Sequence, residues 1–181
     1  MGKNFEELFS QLKAVSTKKL AVAVAQDEPV LEAVSLAKDR GIVDAILVGD
    51  KEKIEEIAKN IDMDLSKFEI VNEKNPQKAT LKAMELVSSG QADMVMKGLI
   101  DTATFLRGVL NKEVGLRTGK LMSHVAVFEI EGIDRLILLT DAAFNTYPDI
   151  KAKTQIINNS VMVAKSCGIG YPKVAPICAV E

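Results

Sequence analysis

Arg117 and Thr118 stand between two glycines in the stretch Gly115-Leu-Arg-Thr-Gly119, and Ser123-His124 follow at the head of an apolar run. A guanidinium is a planar fork that grips phosphate or carboxylate through two hydrogen bonds, and flanking glycines let backbone N–H groups approach an anion closely. A second polar stretch, Asp141-Ala-Ala-Phe-Asn145-Thr-Tyr-Pro148, lies beyond the next apolar run. Together Arg117, Thr118, Ser123 and Asn145 offer one cation and several uncharged hydrogen-bonding groups, a set suited to holding an anion.

Each of these residues also has a plainer role open to it. Arg117 could be a solvated loop arginine whose glycines only turn the chain. His124, the sole histidine, is either a core histidine bonded to backbone or a general base. Asp141 could be an acid of the site or the cap of a strand end, and Asn145 a ligand-facing amide or a turn residue. Lys97 could attract an anion or sit solvated at a strand terminus. Gly115–Leu121 is not a phosphate-binding P-loop, which needs four residues between its glycines and a hydroxyl residue after its lysine. Gly168-Ile-Gly-Tyr-Pro172 lacks the third glycine of a dinucleotide fingerprint.

The elements that must position these groups follow from periodicity. Phe5, Leu8, Phe9, Leu12 and Val15 recur at helical spacing. The runs 18–25, 42–50, 68–73 and 92–98 read as strands, each followed by a helical pattern. Asp27 and Pro29 open the first of those helices and Gly41 closes it, Asp50 caps the second, Asn75-Pro76 opens the third, and the fourth runs from 101 or 102 to 110. Strand–helix alternation predicts a three-layer αβα architecture around a mostly parallel sheet. At 124–130 and 135–140 only four residues intervene, which predicts an antiparallel hairpin. A symmetric turn pairs Ile130 with Arg135 and sets His124 opposite Asp141. If the second of these strands runs parallel with the others, Lys97, Arg117, Ser123 and Asp141 share the carboxyl edge where open α/β sheets bind ligands. A long helix over 150–167 and a final strand over 174–180 complete the reading. The expected domains are 1–145, a first α/β domain, and 146–181, the incomplete start of a second.

Composition excludes several classes. Net charge is −2 with pI near 5.6 and no basic stripe is interleaved with aromatics, so a nucleic-acid partner is not expected. No apolar run reaches the ~20 residues that span a bilayer. The start, with Glu6 and Glu7 inside a helical pattern, is neither a signal nor a transit peptide, so a cytoplasmic protein with no membrane partner is expected. Cys167 and Cys178 have no metal-ligand spacing; no metal is expected, and both read as small buried hydrophobes. Met94, Met96 and Met162 read as core.

The long stretches MKGLIDTATFLRGVLNKEVGLRTGKLMSHVAVFEI and LLTDAAFNTYPDIKAKTQIINNSV resemble the phosphate acetyl/butyryltransferase family, the butyryl branch above all. The resemblance runs the length of the chain and is strongest over 96–160. It implies a two-domain α/β fold similar to isocitrate dehydrogenases. It also implies transfer of a short acyl group between coenzyme A and inorganic phosphate, both as substrates, with no tightly bound cofactor. Arg117 and Thr118 match the family's Arg-Thr pair beside its cleft. Ser123 lies on the matching strand start, and Asn145 matches an asparagine of the second cleft loop. With Asp141 and Lys97 they form the expected substrate-binding set. The family's Ser-Arg and downstream Asp have no counterpart before Glu181, so the chain is expected to be part of a longer enzyme and a homo-oligomer is expected. The alternatives are an acyl-phosphate-dependent acyltransferase of the same fold and a non-catalytic anion- or nucleotide-binding module.

Overall fold

The computed structural model describes residues 4–12 and 14–177. They divide into two compact units, one continuous over 15–118 and one formed by the described residues of 1–14 with those of 119–181.

In the continuous unit four valine- and alanine-rich runs extend as β1 (Lys18–Ala23), β2 (Val43–Gly49), β3 (Glu69–Asn72) and β4 (Met94–Lys97). All pair in parallel in the order β3-β2-β1-β4. Alternate residues face opposite ways along a strand, and here both faces are apolar. Ala21, Ala23, Ile46 and Val48 meet α4 (Pro76–Ser88) and α5 (Thr102–Val109) through Ala79, Ala83, Leu86 and Phe105. Val22, Ala45 and Leu47 meet α2 (Glu28–Asp39) and α3 (Lys51–Asn60) through Leu31, Val34, Ile54 and Ala58. This is the expected three-layer αβα arrangement. Each fully buried Leu or Ile contributes roughly 1.5–3 kcal/mol.

Helix starts follow the sequence with one correction. Asn75, Asp101 and Asp149 each accept a backbone N–H of the first turn. Asp50 occupies the N-cap position of α3 but its side chain makes no capping bond. It is only 8% exposed and its Oδ1 has no hydrogen-bond partner, while its backbone N–H donates to Gln26 Oε1 at 3.2 Å.

The second unit holds α1 (Phe5–Leu12), the antiparallel pair β5 (Ala126–Phe128) and β6 (Ile137–Leu139), and α6 (Ile150–Ser166). Phe5 N–H donates to Glu129 Oε2 at 2.8 Å, and Leu136, Ile156 and Ala164 are its buried apolar residues. Ala126 pairs with Leu139 and Phe128 with Ile137, the register expected for a symmetric turn. The hairpin is shorter than expected and forms its own two-stranded sheet instead of extending the parallel one. Of the final strand, 174–177 are described and carry no strand; the remainder, with Cys178, lies outside the described residues. Met94 and Met162 are 40% and 66% exposed, so standing in apolar segments did not place these two in the core. Cys167 is half-buried, and burial pushes its thiol upward from the usual range. No helix of the described chain is long and apolar enough to cross a membrane.

Candidate functional site

The expected site residues fall in both units. Lys97, Arg117 and Thr118 belong to the continuous one; Ser123, Asp141 and Asn145 belong to the other.

In the continuous unit the sheet order reverses between β1 and β4, and the crevice at the carboxyl ends of such a pair is the usual ligand position in open α/β sheets. Lys97 ends β4 there with an exposed side chain. The segments that follow β1 and β4 are pressed together immediately afterwards. Gly98 N–H donates to Ala23 C=O and Leu99 N–H to Val24 C=O, both at 2.8 Å. Val24 carries a φ of 60°, a conformation that costs a β-branched residue roughly 1–2 kcal/mol.

Arg117 is exposed and takes part in no salt bridge among the described residues. Its loop is anchored from behind, where Leu116 N–H donates to Val109 C=O at 2.8 Å. A Cβ on Gly115 would lie 2.3 Å from Asn111 O and 2.6 Å from Val109 O, so that glycine permits close packing on the end of α5. Gly119 has a φ of 76° and turns the chain. The flanking glycines are thus accounted for by chain path.

In the second unit the hairpin register brings Ser123, His124, Asp141 and Asn145 together. Asp141 Oδ1 accepts from Ala143 N–H at 2.9 Å and Phe144 N–H at 3.0 Å, and its Oδ2 accepts from Asn145 Nδ2. Burial alone would raise its pKa, but these bonds, together with one from the His124 backbone, outweigh it and hold the carboxyl below the usual range. Asp141 is therefore an ionised turn anchor. Asn145 Nδ2 also donates to Met122 C=O at 3.0 Å. Both partners of that nitrogen are acceptors only, so the free end of the amide is Oδ1. A ligand would meet Asn145 as an acceptor.

Of the two readings of His124, the core histidine bonded to backbone is not met at Nδ1, which is sealed from solvent and unpartnered. The ring instead meets Phe144 edge-on, with centroids 6.1 Å apart. The backbone C=O of His124 accepts from Thr140 Oγ1 at 2.6 Å. Ser123 Oγ accepts from Asn159 Nδ2 at 2.8 Å. Asn159 and its neighbour Gln155 were not read from the sequence as site residues. Two amide side chains spaced i, i+4 on one helix were the available signal. Among the described residues no group of three His, Cys, Asp or Glu side chains could hold a metal ion.

Known proteins match this chain along its whole length. The model of the family described as phosphate acetyl/butaryl transferase matches residues 4–81 and 73–181. The phosphate butyryltransferase of Clostridium beijerinckii is 70% identical over 181 residues, covering 100% of this chain and 60% of that protein. A probable phosphate butyryltransferase of Bacillus subtilis is 38% identical, covering 97% of this chain and 58% of its own length. The chain thus spans about three fifths of the curated relatives it matches. Among solved structures, a phosphotransacetylase from Streptococcus pyogenes superposes with a TM-score of 0.76 at 20% identity, covering 92% of this chain and 60% of that one. The EutD phosphotransacetylase from Staphylococcus aureus gives 0.73 at 22%, covering 91% and 58%. At these identities the two structures establish the shared fold. With the whole described length matched by one family model, the chain belongs to the phosphate acetyl/butaryl transferase family.

Proposed function

We propose that the protein transfers a short acyl group between coenzyme A and inorganic phosphate, butyryl-CoA plus phosphate giving butyryl phosphate plus free coenzyme A. The observation that carries this reading is 70% identity to a phosphate butyryltransferase across every residue of the chain. A phosphate oxygen attacks the thioester carbonyl carbon, the C–O bond forms, the C–S bond breaks, and the sulfur leaves as thiolate. Such a step needs an anion held in place, donors for the developing oxyanion and two substrates fixed together. Arg117 serves as the anion clamp, supported by its exposure and freedom from salt bridges. Lys97 adds positive charge, Thr118 and Ser123 are polar contacts, and Asn145 offers an acceptor through Oδ1. Asp141 holds the turn that carries Asn145.

In the same reading the whole protein divides near residue 145, with 146–181 opening a second α/β domain. It acts in the cytoplasm without a resident cofactor and as a homo-oligomer.

The test is thiol release from butyryl-CoA, with and without phosphate, by this chain and by the chain continued to the length of its relatives. Phosphate-dependent release by the longer chain is expected. Release that ignores phosphate, or none from either acetyl- or butyryl-CoA, overturns the reading.

A further inference from the structure

Residues 121–123 lead into β5 without pairing to any strand, so their backbone polar groups need partners from elsewhere. Side-chain amides provide them. Leu121 N–H donates to Gln155 Oε1 at 3.1 Å, and Leu121 C=O accepts from Asn159 Nδ2 at 3.2 Å. Gln155 and Asn159 stand one turn apart on one face of α6. They offer this strip an acceptor and a donor, as a neighbouring strand would.

The same Asn159 nitrogen lies 2.8 Å from Ser123 Oγ, and chemistry settles the direction of that bond. A backbone carbonyl can only accept, so the Asn159 atom facing Leu121 C=O is nitrogen. That nitrogen also faces Ser123, whose hydroxyl therefore accepts. A hydroxyl held as acceptor keeps its own hydrogen for a different oxygen.

We infer that Asn159, backed by Gln155, is a positioning residue that fixes Ser123 as a hydrogen-bond donor toward an oxygen of the bound substrate. This rests on the reading that Ser123 touches substrate. It adds a residue more than thirty positions away that decides which way the hydroxyl works. Replacing the amide by a carboxylate of the same shape reverses that direction, because Ser123 must then donate to the carboxylate.

The test uses steady-state kinetics in the chain continued to its relatives' length, with Ser123→Ala, Asn159→Asp and the double variant. Ser123→Ala should lower kcat/KM by roughly tenfold or more. Asn159→Asp should match it, and the double variant should be no worse than either, since both remove one interaction. The Asn159→Asp loss should also shrink toward low pH, where the carboxyl regains a hydrogen to donate. A purely structural asparagine, whose amide also holds Leu121 C=O, would share the recovery at low pH but would lose activity additively with Ser123→Ala. Should Asn159→Asp fail to fold, judged by circular dichroism, Asn159→Ala takes its place in the same cycle. Additive losses, or wild-type kinetics in the Asn159 variants beside an impaired Ser123→Ala, overturn the inference and leave the site reading standing. Unchanged kinetics in Ser123→Ala overturn both.

Discussion

Asp141 and Arg117 are both charged, yet one is tied into a turn by its own hydrogen bonds and the other is exposed on a loop. The lowered pKa of Asp141 means that its ionised form is favoured in the folded state. The stability it contributes is present above the unfolded carboxyl value near 3.9 and is lost as pH falls through the lower folded value. Asp141→Asn should therefore cost on the order of 1–2 kcal/mol at pH 7. The deficit should shrink by pH 3, and urea unfolding at the two pH values checks it. Arg117→Ala in the longer chain should raise KM for phosphate or coenzyme A at least tenfold, and Arg117→Lys should recover little because a point charge lacks the planar fork. Steady-state kinetics with each substrate varied in turn would reveal it. The polar residues around positions 117–145 were legible because local spacing showed them next to glycines and strand ends. Asn159 was not, since its partner Ser123 lies 36 residues away and an asparagine inside a helix looks locally like a solvated one. The committed nitrogen of Asn145 was hidden for the same reason.

Among the elements, the junction of β1 and β4 leaves no room for a side chain. A Cβ on Gly98 would lie 2.3 Å from Val24 O and 2.7 Å from Ala23 O, and backbone atoms inside a sheet cannot step aside. Gly98→Ala should destabilise the protein by about 3 kcal/mol. By contrast, Gly90→Ala meets nothing within 4 Å and bears only its positive φ of 78°, a cost of about 1 kcal/mol. Denaturant midpoints of the two variants should rank in that order. The strands and helices of residues 18–110 were legible because period-2 and period-3.6 patterns are local, and the hairpin register followed from turn symmetry. Strand order was not legible, because β1 takes β4 beside β2 and leaves β3 at the far edge through contacts that no window of sequence contains. The independence of the hairpin escaped for the same reason: alternation announces a strand without naming the sheet it joins.

For the molecule as a whole, Tyr147, Ile150, Met162, Tyr171 and Ile177 leave large apolar side chains exposed in a chain about three fifths the length of its relatives. Sedimentation velocity across a concentration series should show the 181-residue chain forming larger or less uniform assemblies than the continued chain. Equal, discrete species from both would remove that expectation. The family and the layered architecture were legible at this scale because long matched stretches average over local ambiguity. The grouping of residues before 15 with those after 118 was not, since it depends on contacts such as Phe5 N–H to Glu129 Oε2. That grouping bears on how the protein is made. During synthesis the parallel-sheet unit is complete in sequence once residue 118 has left the ribosome, and it can fold at that moment. Helix α1, which emerges ahead of that unit, must wait through that whole interval for its partners. Its stacked Phe5 and Phe9 rings are then on the nascent chain well before the residues after 118 that they are grouped with.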